Sequence, residues 1–309
     1  MKKNVILVLL CLLLAVVASS CSETKKENKV IPTTPKVGLL LMGSPSDKYS
    51  ASYYGYRALK AVEEKYGIEI TYNEYVTEAN APFLLSDYSK KGYSPVIVQG
   101  EALGEAVLSA GANYPDMKFV CIDGLVSKDN VSSYNILQED LVEFAGAISA
   151  GLSIGNTVGY MELTGVESFK DSFEKGVKFI KTDGTLNYQE IDSVNKDYVN
   201  EISRFDRNNI NSSGLYVNSI PLEDALKNIN VKGVVIGGYL GDDPNRNGFV
   251  RLGIDYDTIY DLVYRDFLAA KPGQKSELGF KDNIFIIEDN GHIYGSLQSR
   301  LEELKKNLR

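Results

Sequence analysis

The pattern of apolar positions from residue 36 onward follows two spacings in turn. Short continuous apolar runs, such as residues 37–42 and 95–99, are typical of strands buried on both faces of a sheet. Between them, apolar residues recur at helical spacing, as in residues 53–66, and Gly67 is expected to end that helix. The alternation predicts successive βαβ units, and therefore an α/β fold with parallel sheets and right-handed crossovers.

The same pattern predicts the other elements of the folded part. Further strands are expected at residues 68–72, 118–122, 132–135, 157–161, 187–192, 214–218 and 233–237. Further helices are expected at residues 83–91, 101–111, 140–152, 168–180 and 302–309.

A second series of elements starts near Asn130. We therefore expect two Rossmann-like lobes joined by a hinge, with bounds at 36–125 and 126–239. The last segment, 240–309, should cross back and complete both lobes.

The start of the chain has the pattern of a secretion signal. Two lysines precede 13 consecutive apolar residues, 5–17, a run too short to span a membrane as a helix of about 20 residues. Small residues then lead to Cys21, an arrangement that resembles the lipobox of bacterial lipoproteins. The resemblance implies that residues 1–20 are removed, that Cys21 is acylated, and that the polar segment 21–35 tethers the protein to a membrane. The alternative is an ordinary secreted protein that keeps this cysteine.

Charge and composition narrow the class of partner. The chain carries 33 Lys and Arg against 41 Asp and Glu, a formal net charge of −8. Such an acidic chain is a poor nucleic-acid binder, because phosphate neutralisation needs a basic face. His292 is the single histidine, which excludes a two-histidine metal site or a histidine pair for acid–base catalysis. Cys121 lies in an apolar run and is expected to be buried, so that no disulfide remains after processing.

Three motifs suggest chemistry but lack the context it needs. Residues 151–155 (GLSIG) match the nucleophile-elbow pattern, yet a predicted helix precedes them and a predicted strand follows, the reverse of the elbow order. Residues 243–248 begin like a calcium loop, but Ile254 stands where that loop needs a glutamate. His292 is expected in an exposed, hairpin-like turn. We therefore expect no catalytic residue, no metal and no cofactor.

Eight short segments between residues 37 and 178 follow one another in a recognisable order. They are 93–98 (YSPVIV), 113–119 (NYPDMKF), 130–134 (NVSSY), 144–147 (FAGA), 150–152 (AGL), 158–161 (VGYM), 169–173 (FKDSF) and 176–178 (GVK). This set resembles the basic membrane protein family of solute-binding lipoproteins, whose best-understood members bind purine nucleosides. The resemblance implies a type I periplasmic-binding-protein fold that delivers its ligand to an ABC permease.

Open α/β sheets bind ligands beyond the carboxyl ends of their strands. The polar and aromatic residues expected there are Asp47, Tyr49, Tyr53, Glu101, Asp123, Asn218 and Asp242. The resemblance implies that Asp123 accepts hydrogen bonds from ribose hydroxyls, although its carboxylate could instead cap the turn before Gly124.

The other candidates also have two interpretations each. Tyr49 and Tyr53 could stack on a base or pack along their helix, and Asp47 could bind a polar ligand edge or act as the helix N-cap. Glu101 fits compensation of a helix dipole better than ligand binding. Two departures from the family pattern, a shortened loop at 46–49 and no lysine near Ile254, leave a ligand other than a nucleoside open.

The favoured hypothesis is a substrate-binding lipoprotein of an ABC importer, a monomer anchored on the extracytoplasmic face of a membrane, with a nucleoside between its lobes. The alternative is a ligand-sensing or regulatory surface lipoprotein of the same fold without a transporter. A surface hydrolase is disfavoured, because the chain has one histidine and Ser153 lies in the wrong context.

Overall fold

The computed structural model describes residues 34–48, 50–164, 168–192, 200, 215–218, 234–237 and 250–309. The expected signal segment, Cys21 and most of the expected tether lie outside these residues, as do Tyr49 and Asp242. Within the described part, no helix has both the length and the apolar character needed to cross a membrane.

The elements occur in the following order along the chain. They are β1 (Lys36–Leu41), α1 (Ala51–Tyr66), β2 (Glu69–Asn73), α2 (Ala81–Lys90), β3 (Val96–Gln99), a 3₁₀ turn (Glu101–Leu103), α3 (Gly104–Asn113), β4 (Phe119–Ile122), β5 (Val131–Ile136), α4 (Gln138–Leu152), β6 (Thr157–Leu163), α5 (Lys170–Ile180), β7 (Thr185–Ile191), β8 (Leu215–Asn218), β9 (Val234–Gly237), β10 (Val250–Ile254), α6 (Tyr256–Leu268), β11 (Lys275–Leu278), a second 3₁₀ turn (Phe280–Asp282), β12 (Phe285–Asp289) and α7 (Gly295–Asn307).

The strands of the described part form two six-stranded sheets. The first has the order β11-β5-β4-β3-β1-β2 and is parallel throughout. The second has the order β12-β10-β9-β8-β6-β7 and is parallel except for β12. We call the first sheet with α1, α2, α3 and α6 lobe 1, and the second with α4, α5 and α7 lobe 2. The predicted α/β fold is confirmed.

Helix α1 shows how the sequence builds lobe 1. The Ser50 side chain caps its start by accepting a hydrogen bond from the Tyr53 amide, and Gly67 ends it in the left-handed conformation with φ 64°. Its buried face, which includes Leu59 and Val62, packs on the sheet in one core cluster with α6. A second cluster lies on the opposite face, under α2 and α3. Burial on both faces explains the continuous apolar runs of these strands.

The placement of β5 corrects one expectation. We expected the second lobe to begin at residue 126, before the strand at 132–135. The strand instead pairs with β4 and β11, so the chain first passes to lobe 2 at Leu137. The apolar pattern of a strand shows that it is buried but not which strands lie beside it. The helix predicted at 302–309 also begins earlier, at Gly295.

Within the described residues, the chain crosses between the lobes three times, at Leu137, at Asp255 and at residues 279–284. The third crossing lies between the other two. Leu137 donates its amide to the carbonyl of Leu278 at 2.9 Å, and Asp255 donates its amide to the carbonyl of Ile284 at 2.7 Å. We call these three crossings together the hinge.

Candidate ligand-binding cleft

The loops after β1, β3 and β4 lie side by side, because these strands are parallel neighbours in lobe 1. This carboxyl edge exposes apolar side chains, with Met42 and Leu125 each 44% accessible. It also carries the carboxylates of Asp47, Glu101 and Asp123. Apolar surface with a few convergent polar groups is the usual composition of a small-molecule site.

Asp123 ends β4 in an uncommon backbone conformation. Its φ is 61°, a left-handed value that aspartate tolerates better than most residues. Its amide donates to the carbonyl of Tyr134 at 2.8 Å. Its half-buried carboxylate accepts a hydrogen bond of 3.4 Å from the side chain of Gln138, the first residue of α4. Asp123 therefore lies next to the first crossing of the hinge.

The loop after β1 is held by its own serines. The Gly43 amide donates to the Ser52 hydroxyl at 2.9 Å, and the Ser44 hydroxyl donates to Glu74 at 2.7 Å. Asp47 is exposed in this loop, and Ser50 donates both its amide and its hydroxyl to the Asp47 carbonyl. Because Ser50 caps α1, the N-cap interpretation of Asp47 is wrong.

An aromatic group follows in the first turn of α1. The half-buried Tyr53 ring meets Tyr54 edge-to-face at 5.2 Å, and the Arg57 guanidinium lies 5.5 Å from the Tyr53 ring centroid. Tyr54 also stacks on Tyr256 at 6.1 Å, where α6 starts after the second crossing. Tyr53 therefore lies near the hinge through Tyr54, and its contacts with Tyr54 and Arg57 agree with packing along the helix.

The charges of Glu101 and Asp123 both affect the pKa of one buried thiol, that of Cys121. Burial raises the pKa of Cys121 to about 12, and the charges of Asp123 and Glu101 add to the effect. Cys121 is buried, as predicted. Glu101 itself is exposed and opens the 3₁₀ turn, directly after Gly100 with its φ of 123°.

In lobe 2, Asn218 ends β8 and pairs in register with Glu162 of β6 and Gly237 of β9. Asn218 therefore lies on the carboxyl edge of the second sheet. The other candidates, Tyr49 and Asp242, lie outside the described residues.

Glu162 is a polar residue at this edge that the sequence analysis missed. It is only 2% exposed. It accepts hydrogen bonds from the hydroxyls of Tyr160, of Ser168 at 2.6 Å and of Tyr188 at 2.5 Å. Burial raises the pKa of Tyr188, and its bonds to Glu162 and Glu190 raise it further. The signal in the sequence was an acidic residue at the end of a buried strand.

The motifs set aside in the sequence also have structural roles. Ser153 follows α4 and precedes β6, and its hydroxyl donates to the carbonyls of Gly155 at 3.1 Å and Thr157 at 3.2 Å. His292 is half-buried between β12 and α7, where its amide donates to Asp289, so the expected hairpin-like turn is wrong. Residues 243–248 lie outside the described part. Within that part, no cluster of three or more potential ligands could hold a metal ion.

Comparison with known proteins identifies the family. The family model of Bmp, described as ABC transporter substrate-binding protein PnrA-like, matches residues 34–216, more than half of the chain. The chain belongs to the Bmp family. The predicted resemblance is confirmed, and membership supports a substrate-binding role.

Individual relatives of this Bmp chain carry different names. It is 29% identical over 180 residues to the transcriptional activator protein med of Bacillus subtilis (strain 168), covering 58% of this chain and 55% of that protein. It is 27% identical over 129 residues to a purine-binding protein of Brucella abortus (strain 2308), covering 41% and 37%. The matches thus span about half or less of each relative.

The fold of the Bmp chain also recurs among solved structures. An ABC transporter solute-binding protein from Conexibacter woesei superposes with a TM-score of 0.67 at 16% identity, covering 89% of this chain and 96% of that one. At this identity the likeness shows the fold alone.

Proposed function

We propose that this Bmp-family protein is the substrate-binding lipoprotein of an ABC importer and holds a nucleoside between its lobes. The observation that carries the proposal is the position of Asp123. Its carboxylate lies at a parallel-strand end, half-buried, beside the first crossing of the hinge. Family membership and the name of the Brucella relative support the choice of ligand.

The chemistry proposed for lobe 1 needs no bond to break. An ionised carboxylate accepts hydrogen bonds from two adjacent hydroxyls, and such charge-assisted bonds are stronger than neutral ones. The rings of Tyr53 and Tyr49 would stack on the base of the nucleoside. Asp47 would accept a hydrogen bond from the polar edge of that base. Glu101 lies on the same edge but, being exposed, contributes less.

Lobe 2 would complete the site when the hinge closes. Asn218, at the end of β8, and Asp242 would contact the ligand from this side. Closure of two lobes around a ligand is an established mode of domain motion, and it buries the ligand while releasing it unchanged on opening.

The proposal includes the location of the protein. Acylated Cys21 would anchor it on the extracytoplasmic face, and the tether from 22 to 35 could extend to roughly 50 Å at the maximal rise per residue. A monomer on such a tether could reach an ABC permease in the same membrane.

Calorimetric titration with guanosine, adenosine, uridine and ribose tests the proposal. The decisive variant is Asp123→Asn, because asparagine also tolerates a positive φ while it lacks the charge. We expect nucleoside affinity to fall about 10-fold or more, the effect of one lost charged hydrogen bond. Asp129→Asn, an exposed aspartate in the same lobe, is the matched control and should leave affinity unchanged.

Two results would count against the proposal separately. Unchanged affinity of the Asp123→Asn variant would remove Asp123 from the site. If no nucleoside binds the unmodified protein, a nucleoside is not its ligand.

A second function, ligand sensing without a transporter, has one specific observation in its favour. The Bacillus subtilis relative is named a transcriptional activator. Uptake of radiolabelled nucleoside by cells with and without this protein separates the two functions. Loss of uptake supports the importer, whereas unchanged uptake with altered transcript levels supports sensing.

A further inference from the structure

Arg309 bridges two crossings of the hinge through its backbone. Its amide donates to the Asp140 carboxylate at 2.8 Å, and its carbonyl accepts from the Phe280 amide at 2.9 Å. Asp140 lies in the first turn of α4, just after the first crossing, while Phe280 lies in the third. One residue next to the end of α7 thus binds chain segments at two of the three crossings, the first and the third.

The guanidinium of Arg309 lies among carboxylates from both lobes. It is 3.0 Å from Glu139 and 3.9 Å from Asp140 in α4, and 3.8 Å from Glu277 in β11. Glu277 belongs to the sheet of lobe 1, whereas α4 belongs to lobe 2. Exposed ion pairs contribute little singly, but here one cation is shared by three carboxylates that would otherwise repel one another.

Close packing keeps this arrangement in place. A Cβ atom added at Gly279 would lie 2.2 Å from the Arg309 carbonyl oxygen, so the backbone of the third crossing rests directly against Arg309. The preceding residue, Leu308, is only 4% exposed. Asp140 is 6% exposed, which favours retention of its hydrogen bond to the Arg309 amide.

We propose that Arg309 is a latch on the hinge, which restrains the third crossing and so controls how freely the lobes open and close. The consequence for ligand affinity rests on the proposed function. The latch itself requires no ligand, because all its contacts lie within the chain.

Hydrogen exchange of the full, ligand-free chain, followed by mass spectrometry, tests the latch. In Arg309→Ala we expect amides of residues 279–284 to exchange about fivefold faster, since loss of the ion pairs favours local opening of that segment. Arg309→Glu should accelerate the exchange further, because it would place a fourth carboxylate beside Glu139, Asp140 and Glu277.

Arg300→Ala is the matched control. Arg300 lies in α7, the helix that precedes Arg309, and it contacts Phe179 and Glu303 in lobe 2. It should leave exchange at residues 279–284 unchanged. If Arg309→Ala does not fold, Glu277→Gln removes only the ion pair to lobe 1 and should give an acceleration of about twofold.

Unchanged exchange at residues 279–284 in the folded Arg309 variants, or in Glu277→Gln where those do not fold, would overturn the proposal. Because no ligand enters the experiment, this result is independent of whether a nucleoside binds.

Discussion

Asp123 and Glu162 are carboxylates at the carboxyl edges of the two sheets, Asp123 directly after β4 and Glu162 near the end of β6. Their surroundings differ. Asp123 is half-buried, and the hydrogen bond that it accepts from the Gln138 side chain is long, at 3.4 Å. Glu162 is buried and receives three hydroxyl hydrogen bonds. The hydroxyl donors therefore tie the Glu162 carboxylate to the fold, whereas the Asp123 carboxylate stays partly accessible at the edge of its sheet.

The cause of the difference lies in the neighbours. Tyr160 precedes Glu162 by two residues on the same face of the strand, and it pairs in register with Tyr188 of β7. Both tyrosines thus present hydroxyls to Glu162. Two residues before Asp123 stands Cys121, whose thiol is only a weak donor.

Removal of the buried carboxylate should have the largest effect. Glu162→Ala leaves three hydroxyls without this acceptor, and we expect the free energy of unfolding to fall by about 2–4 kcal/mol in thermal or urea denaturation. Glu190→Ala, which removes a more exposed acceptor of Tyr188, is the control and should cost less than about 1 kcal/mol. A Glu162 variant as stable as that control would erase the contrast between the two carboxylates.

Asp123→Gly should separate binding from stability. Glycine adopts a positive φ without strain but adds freedom to the unfolded chain, so the two effects oppose each other. We expect a free energy of unfolding within about 0.5 kcal/mol of the unmodified protein, together with a nucleoside affinity weakened about 10-fold or more. A large loss of stability in this variant would place Asp123 in the same class as Glu162.

The smallest effect should appear at Cys121. Its pKa is raised to about 12 from 9.0, so its contribution to stability is complete below pH 9 and is lost as the pH rises through about 12. Asp123→Asn and Glu101→Gln should each lower this pKa, because each removes a nearby negative charge. Difference absorbance of the thiolate between each protein and its Cys121→Ser counterpart measures the shift. No movement of the thiol pKa in either variant would contradict the proximity of the two carboxylates.

Local pattern was sufficient to predict most elements of the fold. The apolar runs of β1, β3 and β4 and the Gly67 stop of α1 are all present. Elements β10, α6, β11 and β12 were not predicted individually. Strand β5 was expected in lobe 2 but lies in lobe 1, because strand pairing depends on residues far apart in the chain.

Local pattern also proposed some residues of the candidate site, and it missed those whose role depends on contacts between distant residues. Asp123 was chosen as a candidate because strand ends are visible in the pattern, and the structure places it directly after β4. The capping role of Ser50 and the hydroxyls around Glu162 depend on three-dimensional contacts that spacing does not show. The contacts of the hinge join residues that are still farther apart in the sequence, since Arg309 and Asp140 are separated by 169 positions.

Mass spectrometry of small molecules released from the purified protein identifies what the protein holds. We expect a nucleoside, chemically unchanged, that is recovered from the unmodified protein and depleted in the Asp123→Asn variant. A protein that releases no small molecule and binds none on addition, or that converts the molecule it binds, would contradict this expectation.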